Sequence, residues 1–152
     1  MKTTKSLALM VWSIFIVVPG LHAACSTASI AGRFGFTTTG SIPAVGQVAA
    51  TGIFTQDAWG NITGTQTRSL NGGVADETFT GTATVNSDCT GTDSIQVFQD
   101  GSLVRTTTLH VVYDDNGREA RAIFTSLVLP NGVSLPSIIT IEARKLFSRE
   151  AD

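Results

Sequence analysis

Residues 52–92 read GIFTQDAWGNITGTQTRSLNGGVADETFTGTATVNSDCTGT. Runs rich in Thr, Val, Ile and Phe alternate there with turn residues about every ten positions. That rhythm is the pattern of β-hairpins laid edge to edge. It extends along the chain and marks eight strand candidates, at 30–39, 47–56, 61–70, 76–86, 90–99, 102–113, 118–129 and 137–147. The separators include Asp57-Ala58-Trp59-Gly60, Asn71-Gly72-Gly73, Ser87-Asp88, Asp100-Gly101, Asp114-Asp115-Asn116-Gly117 and Pro130-Asn131-Gly132. Asn-Gly and Asp-Gly pairs accept the positive φ angles of tight hairpin turns. Every connection is short, whereas parallel strands need crossovers of a dozen or more residues. The sheet is therefore expected to be antiparallel, with neighbours paired in chain order. β-branched residues and in-strand glycines weigh against helix. Room remains for one helical turn near 25–29, or over 148–152.

The strands have faces. Ile30, Gly32, Phe34 and Phe36 share one side of the first; Val48, Ala50, Gly52 and Phe54 share one side of the second. Phe79, Gly81, Ala83 and Val85 do the same in the fourth. The opposite sides are mostly Thr, Ser, Arg and Gln. A sheet with one apolar face curls on itself or packs on a second sheet. Glycines inside strands permit the bends that a small barrel requires. The expected fold is all-β, an eight-stranded antiparallel up-and-down barrel. Strands six to eight read as apolar on both sides, with Leu103, Leu109 and Val111 opposite Val104 and Val112. That calls for a second burial partner: the chain's own end, another subunit or a ligand.

The chain opens with a basic start at Lys2 and Lys5, an uncharged apolar run over 6–18, the breakers Pro19 and Gly20, and small residues at Ala23 and Ala24. This is the pattern of a secretory leader. The apolar run is shorter than the roughly 20 residues that span a bilayer. The expected division is a cleaved leader over 1–23 and a single barrel domain over 24–152, secreted or periplasmic, with no membrane span after cleavage. The net charge of −2 becomes −4 when the two leader lysines are lost (−2 − 2). No basic patch remains to hold nucleic acid.

Cys25 and Cys89 are the only cysteines, and both lie in the mature chain. In an oxidising compartment two cysteines usually pair. Cys25 also follows the small residues at which a lipoprotein would be modified, but His22 stands where a lipobox wants an aliphatic residue. Lipidation would strand Cys89, so Cys89 favours the disulfide. In the mature chain no second Cys or His lies near either cysteine, so no metal site is expected, and no other cofactor is expected either.

The inventory for catalysis is thin. His110 is the only histidine after the leader, it sits in a strand interior, and no G-x-S-x-G is present. No catalytic residue is assigned. The carboxylates Asp57, Asp76, Glu77, Asp88, Asp100, Asp114 and Asp115 cluster at turns, where capping and solubility account for them. Arg105 and Tyr113 share a phase with Leu103, Leu109 and Val111, and Arg121 shares one with Ile123, Leu127 and Leu129. If that phase faces inward, these are polar groups in an apolar cavity, as ligand sites are often built. If it faces outward, they are ordinary surface side chains. With the aromatic face, the candidate ligand-binding set is Phe34, Phe54, Arg105, Tyr113 and Arg121.

Taken in order, Cys25, Gly32-Arg33-Phe34, Gly52-Ile53-Phe54 to Asp57, Gly60-Asn61-Ile62-Thr63-Gly64, Phe79-Thr80-Gly81 and Asp88-Cys89-Thr90-Gly91-Thr92 form a pattern over residues 25 to about 92. The pattern resembles the calycin-like eight-stranded barrels, and among them small secreted bacterial proteins with an allene-oxide-cyclase-like barrel. The resemblance implies a barrel with a lumen suited to an apolar molecule. It carries no catalytic residue across, since no acid aligns with the buried glutamate of the plant-type cyclases. A fainter likeness to lipocalins places Gly32-Arg33-Phe34 and Arg144 where those proteins carry a Gly-x-Trp and a crossing basic residue. The functional expectations are therefore a secreted, non-catalytic barrel binding a small apolar molecule, or a homo-oligomeric interaction module, or an isomerase or cyclase that steers a reactive intermediate by confinement.

Overall fold

The computed structural model describes residues 24–146. The expected leader and the helical option at 148–152 lie outside them. A short helix α1 (Thr27–Ile30) leads into β1 (Gly32–Ile42), β2 (Gly46–Gln56), β3 (Asn61–Leu70), β4 (Gly73–Val85), β5 (Thr90–Gln99), β6 (Ser102–Asp114), β7 (Glu119–Val128) and β8 (Ile138–Lys145). Each strand pairs antiparallel with the next, and β8 returns to β1 to close the barrel. The eight expected strands and their order are all present.

The turns work as their residues dictate. Asn71 and Gly72 have φ of 49° and 89°, and Asp100 and Gly101 have 50° and 77°. Both pairs form the two-residue hairpin turns whose twist matches the flanking strands. The ladder of the first therefore runs on to Leu70 and Gly73, so β4 starts earlier than the expected residue 76. At the β2–β3 turn, Asp57 Oδ1 accepts from the Trp59 and Asn61 amides at 2.9 and 2.8 Å. Asp88 Oδ1 accepts from the Thr90 amide at 3.0 Å. Asp114 accepts from the Asp115 amide and pairs with Arg121.

One end of the barrel is plugged. Ser26 caps α1: its hydroxyl accepts from the Ser29 amide at 3.2 Å, and the Ser29 hydroxyl accepts from the Ser26 amide at 2.9 Å. The cap turns the chain so that Ile30 enters the barrel, where it is 1% exposed. Sequence pattern placed Ile30 on the first strand; it is instead the last residue of the plug. The β6–β7 turn closes over it, and a Cβ on Gly117 would sit 2.6 Å from Ile30 Cδ1. Cys25 and Cys89 form the expected disulfide, with Cα atoms 5.0 Å apart and a sequence separation of 64. Both pack against the core below the lumen. In the chain-entropy view such a loop contributes about 4 kcal/mol.

Two β-bulges decide which side chains face inward. On β6, Val97 is opposite Arg105 and Phe98 is opposite Leu103, so Val104 is the extra residue. On β7, Thr108 is opposite Ser126 and Leu109 is opposite Phe124, so Thr125 is extra. An extra residue reverses the in–out alternation beyond it. Val104 thereby turns inward beside Arg105, and Leu127 and Leu129 turn inward although Ile123 is outside. The expected two-sided apolarity of strands six to eight thus shrinks to a few exposed residues, chiefly Val112, Ile123 and Ile138.

Candidate binding lumen

The inward residues enclose a lumen of about 380 Å³. At the plugged end an aromatic group fills the wall. Phe34 stacks on Phe54 with ring centres 5.0 Å apart. Phe36 meets Phe54 at 5.9 Å and the edge of Phe79 at 5.8 Å. Gly64 gives Phe79 its place: a Cβ there would lie 2.7 Å from Phe79 Cε2 and closer still to its Cζ. At the other end Ile42, Val48, Leu127 and Ile139 form a second apolar cluster. Leu135 packs onto it from the β7–β8 connection, which is pinned by the Leu135 amide donating to the Leu127 carbonyl at 2.9 Å.

Polar groups enter this apolar space in two places. The first is Glu77 on β4, whose side chain is fully buried. Arg105 grips it with both terminal nitrogens, at 2.8 and 2.6 Å. Arg68 Nε donates to it at 2.7 Å, and Gln66 Nε2 also at 2.7 Å. Burial acts to raise its pKa, but the Arg105 and Arg68 guanidiniums and the Gln66 amide outweigh it and hold the carboxyl at about 2. Each Glu77 oxygen takes two donors. Two guanidiniums against one carboxylate leave this wall net positive.

The second place is at the plugged end. Gln56 closes β2, Tyr113 stands next to the end of β6, and Asp93 is on β5. All three line the lumen and are buried, at 2%, 6% and 8% exposure. The Tyr113 ring lies across Gly91, where a Cβ would come 3.2 Å from its Cε2. The missing side chain lets the phenol reach toward Asp93, the next inward residue of β5. Burial pushes Asp93 up to about 7. Burial first and the Asp93 charge second push the Tyr113 phenol well above its usual value, and the Gln56 amide beside it acts in the opposite sense. Gln56 Nε2 comes close enough to the Tyr113 phenol to act on it as a donor would, yet it, Asp93 Oδ1 and Tyr113 Oη make no hydrogen bond of normal geometry among the described residues.

Of the candidate residues, Phe54, Arg105 and Tyr113 line the lumen. Phe34 is buried in the stack beneath it without lining it. Arg121 does not belong to the set. It projects to solvent and pairs with Asp114, because the bulge at Thr125 separates its phase from that of Leu127 and Leu129. The crossing basic residue is also different from the expected one. Lys145 Nζ lies 5.4 Å over the Phe34 ring, whereas Arg144 is outside and pairs with Glu119. Glu77 was assigned to a turn and lies in the core, while Asp93 and Gln56 were not singled out. Their signal was present: Glu77 is in phase with Phe79, Asp93 with Ile95 and Val97, and Gln56 with Phe54.

No protein-family model matches the chain, and no characterised protein matches its sequence. The fold has a solved counterpart. It is similar to a redesigned β-barrel, mFAP1, whose structure was determined bound to DFHBI, with 15% identity and a TM-score of 0.54. The match covers 79% of this chain and 98% of that one. At this identity the likeness establishes the fold alone. The Cys25–Cys89 disulfide is consistent with a location outside the cytoplasm.

Proposed function

We propose that the protein is a secreted or periplasmic barrel that binds one small, mostly apolar molecule in its lumen. The observation that carries this reading is the lumen itself. Its 380 Å³ fall within the roughly 300–1,000 Å³ of small-molecule sites, and its walls are apolar with a few convergent polar groups. Binding of DFHBI by the similar redesigned barrel supports the reading at the level of architecture. A secretory leader over 1–23, ahead of the single barrel domain, accounts for how the disulfide would form. Native mass spectrometry of the purified protein, with displacement of a lipophilic dye, tests it. One ligand per chain is expected. A packed barrel that takes up neither endogenous molecule nor dye would remove the binding reading.

A second reading is an allene-oxide-cyclase-like isomerase or cyclase. It is favoured by Tyr113 and the Asp93 carboxyl lining an apolar cavity, where confinement does much of the work. Glu119 and Glu142 do not serve it, since both lie on the outer face. Incubation with an unsaturated fatty-acid epoxide checks it. An enantiomerically enriched cyclic product is expected; racemic product at the spontaneous rate excludes it.

A further inference from the structure

The plugged end of the lumen concentrates three unmade hydrogen bonds. Gln56 Nε2, Asp93 Oδ1 and Tyr113 Oη all come from residues more than nine-tenths buried. Leaving one buried polar group without a partner costs about 1–3 kcal/mol, so three on one cavity wall need a reason. Packing does not supply it, because neighbouring inward positions are held by Ile62, Ile95 and Val111. The Glu77 wall offers no parallel vacancy of function, since both of its oxygens are saturated by Arg105, Arg68 and Gln66. The three groups also converge. Gln56 lies beside the Tyr113 phenol and Asp93 is close enough to act on it electrostatically, while the Tyr113 ring lies over Gly91.

We propose that Gln56, Asp93 and Tyr113 form a docking site for a carbonyl oxygen, so that the lumen takes a compact apolar molecule led by a ketone-type carbonyl. This rests on the reading of the lumen as a binding site. The Gln56 amide and the Tyr113 hydroxyl are donors. Burial raises the Asp93 pKa to about 7, so at pH values well below that its carboxyl is protonated and supplies a third donor. Three donors lining one end of the lumen suit an uncharged acceptor oxygen. A carboxylate head would bring a second acid against Asp93. The aromatic wall of Phe36, Phe54 and Phe79 holds the apolar body behind the carbonyl.

The test compares three probes of one shape: propionylnaphthalene, propylnaphthalene with a methylene in place of the carbonyl, and the amine with nitrogen on that carbon. Affinities for the full mature chain are measured calorimetrically and corrected for water–alkane partition. The ketone is expected to bind roughly tenfold tighter than the hydrocarbon, the worth of one to two net hydrogen bonds. Tyr113→Phe should weaken the ketone about three- to tenfold and leave the hydrocarbon unchanged. Gln56→Met is a second variant with the same expected pattern, and thermal melts confirm that each is folded. The infrared carbonyl band of the bound ketone should lie lower in the unmodified protein than in Tyr113→Phe. Equal binding of ketone and hydrocarbon, tighter binding of the amine, or equal weakening of both probes by the variants overturns the carbonyl site and leaves lumen binding standing. Binding of none of the three overturns both.

Discussion

Replacing Glu77 with glutamine removes the negative charge from the most heavily coordinated group in the lumen. The variant keeps the shape and one acceptor oxygen. Arg105 and Arg68, however, are left together without a counter-charge. Removing one partner of a buried ion pair costs about 3–5 kcal/mol. The pKa gives a separate figure. A fall from 4.5 to about 2 corresponds to about 3 kcal/mol, at about 1.36 kcal/mol per unit. The folded-state value is depressed, so this stabilisation is complete above the unfolded value near 4.5 and is lost as pH falls toward 2. In urea unfolding with the disulfide intact, Glu77→Gln should be about 3 kcal/mol less stable than the unmodified protein at neutral pH. The gap should close as the solution is acidified through that window. Arg68→Met leaves a one-to-one Arg105–Glu77 pair and should cost less, about 1–2 kcal/mol. A Glu77→Gln protein within about 0.5 kcal/mol of the original, with the same acid dependence, would refute the idea that this network holds the wall together.

Asp93 should behave in the opposite sense. Its folded value of about 7 lies above the ordinary 3.8, so the folded state binds the proton more tightly and stability falls as pH rises between those values. Asp93→Asn should therefore gain up to about 4 kcal/mol relative to the original between pH 4 and pH 8, read by urea unfolding; a pH-independent difference would contradict it. Replacing Cys25 and Cys89 together by serine should cost about 4 kcal/mol and lower the melting temperature, with no further loss on adding reductant. Trp59 is 85% exposed at the β2–β3 turn, so Trp59→Ser should leave stability unchanged within about 0.5 kcal/mol in a melt.

Strand number, chain order, the disulfide and the inward faces of β1, β2 and β4 were legible because turn chemistry and period-two alternation are local. The helical turn at the plug was legible too, though Ile30 was read as strand. The bulges at Val104 and Thr125 were not, since a bulge is a property of two paired strands. A trace exists in and just after β7, where Ala122 and Phe124 occupy one phase and Leu127 and Leu129 the other. Two apolar phases within one strand imply a one-residue shift between them. Missing it placed Arg121 in the candidate site. Glu77, Asp93 and Gln56 were missed for a different reason. Glu77 was grouped with the turn carboxylates, and Asp93 and Gln56 were passed over as polar strand residues, although their phase with Phe79, Ile95 and Phe54 pointed inward.

Ala122 lines the lumen on β7, and phenylalanine at that position would fill part of the cavity. Titration of a lipophilic fluorescent dye into the unmodified protein and into Ala122→Phe, each checked for folding by a thermal melt, measures occupancy of the lumen directly. Lumen binding predicts one saturable site per chain, with affinity falling at least about tenfold, or about 1.4 kcal/mol, in the variant. Equal binding by both folded proteins, or binding by neither, would contradict it.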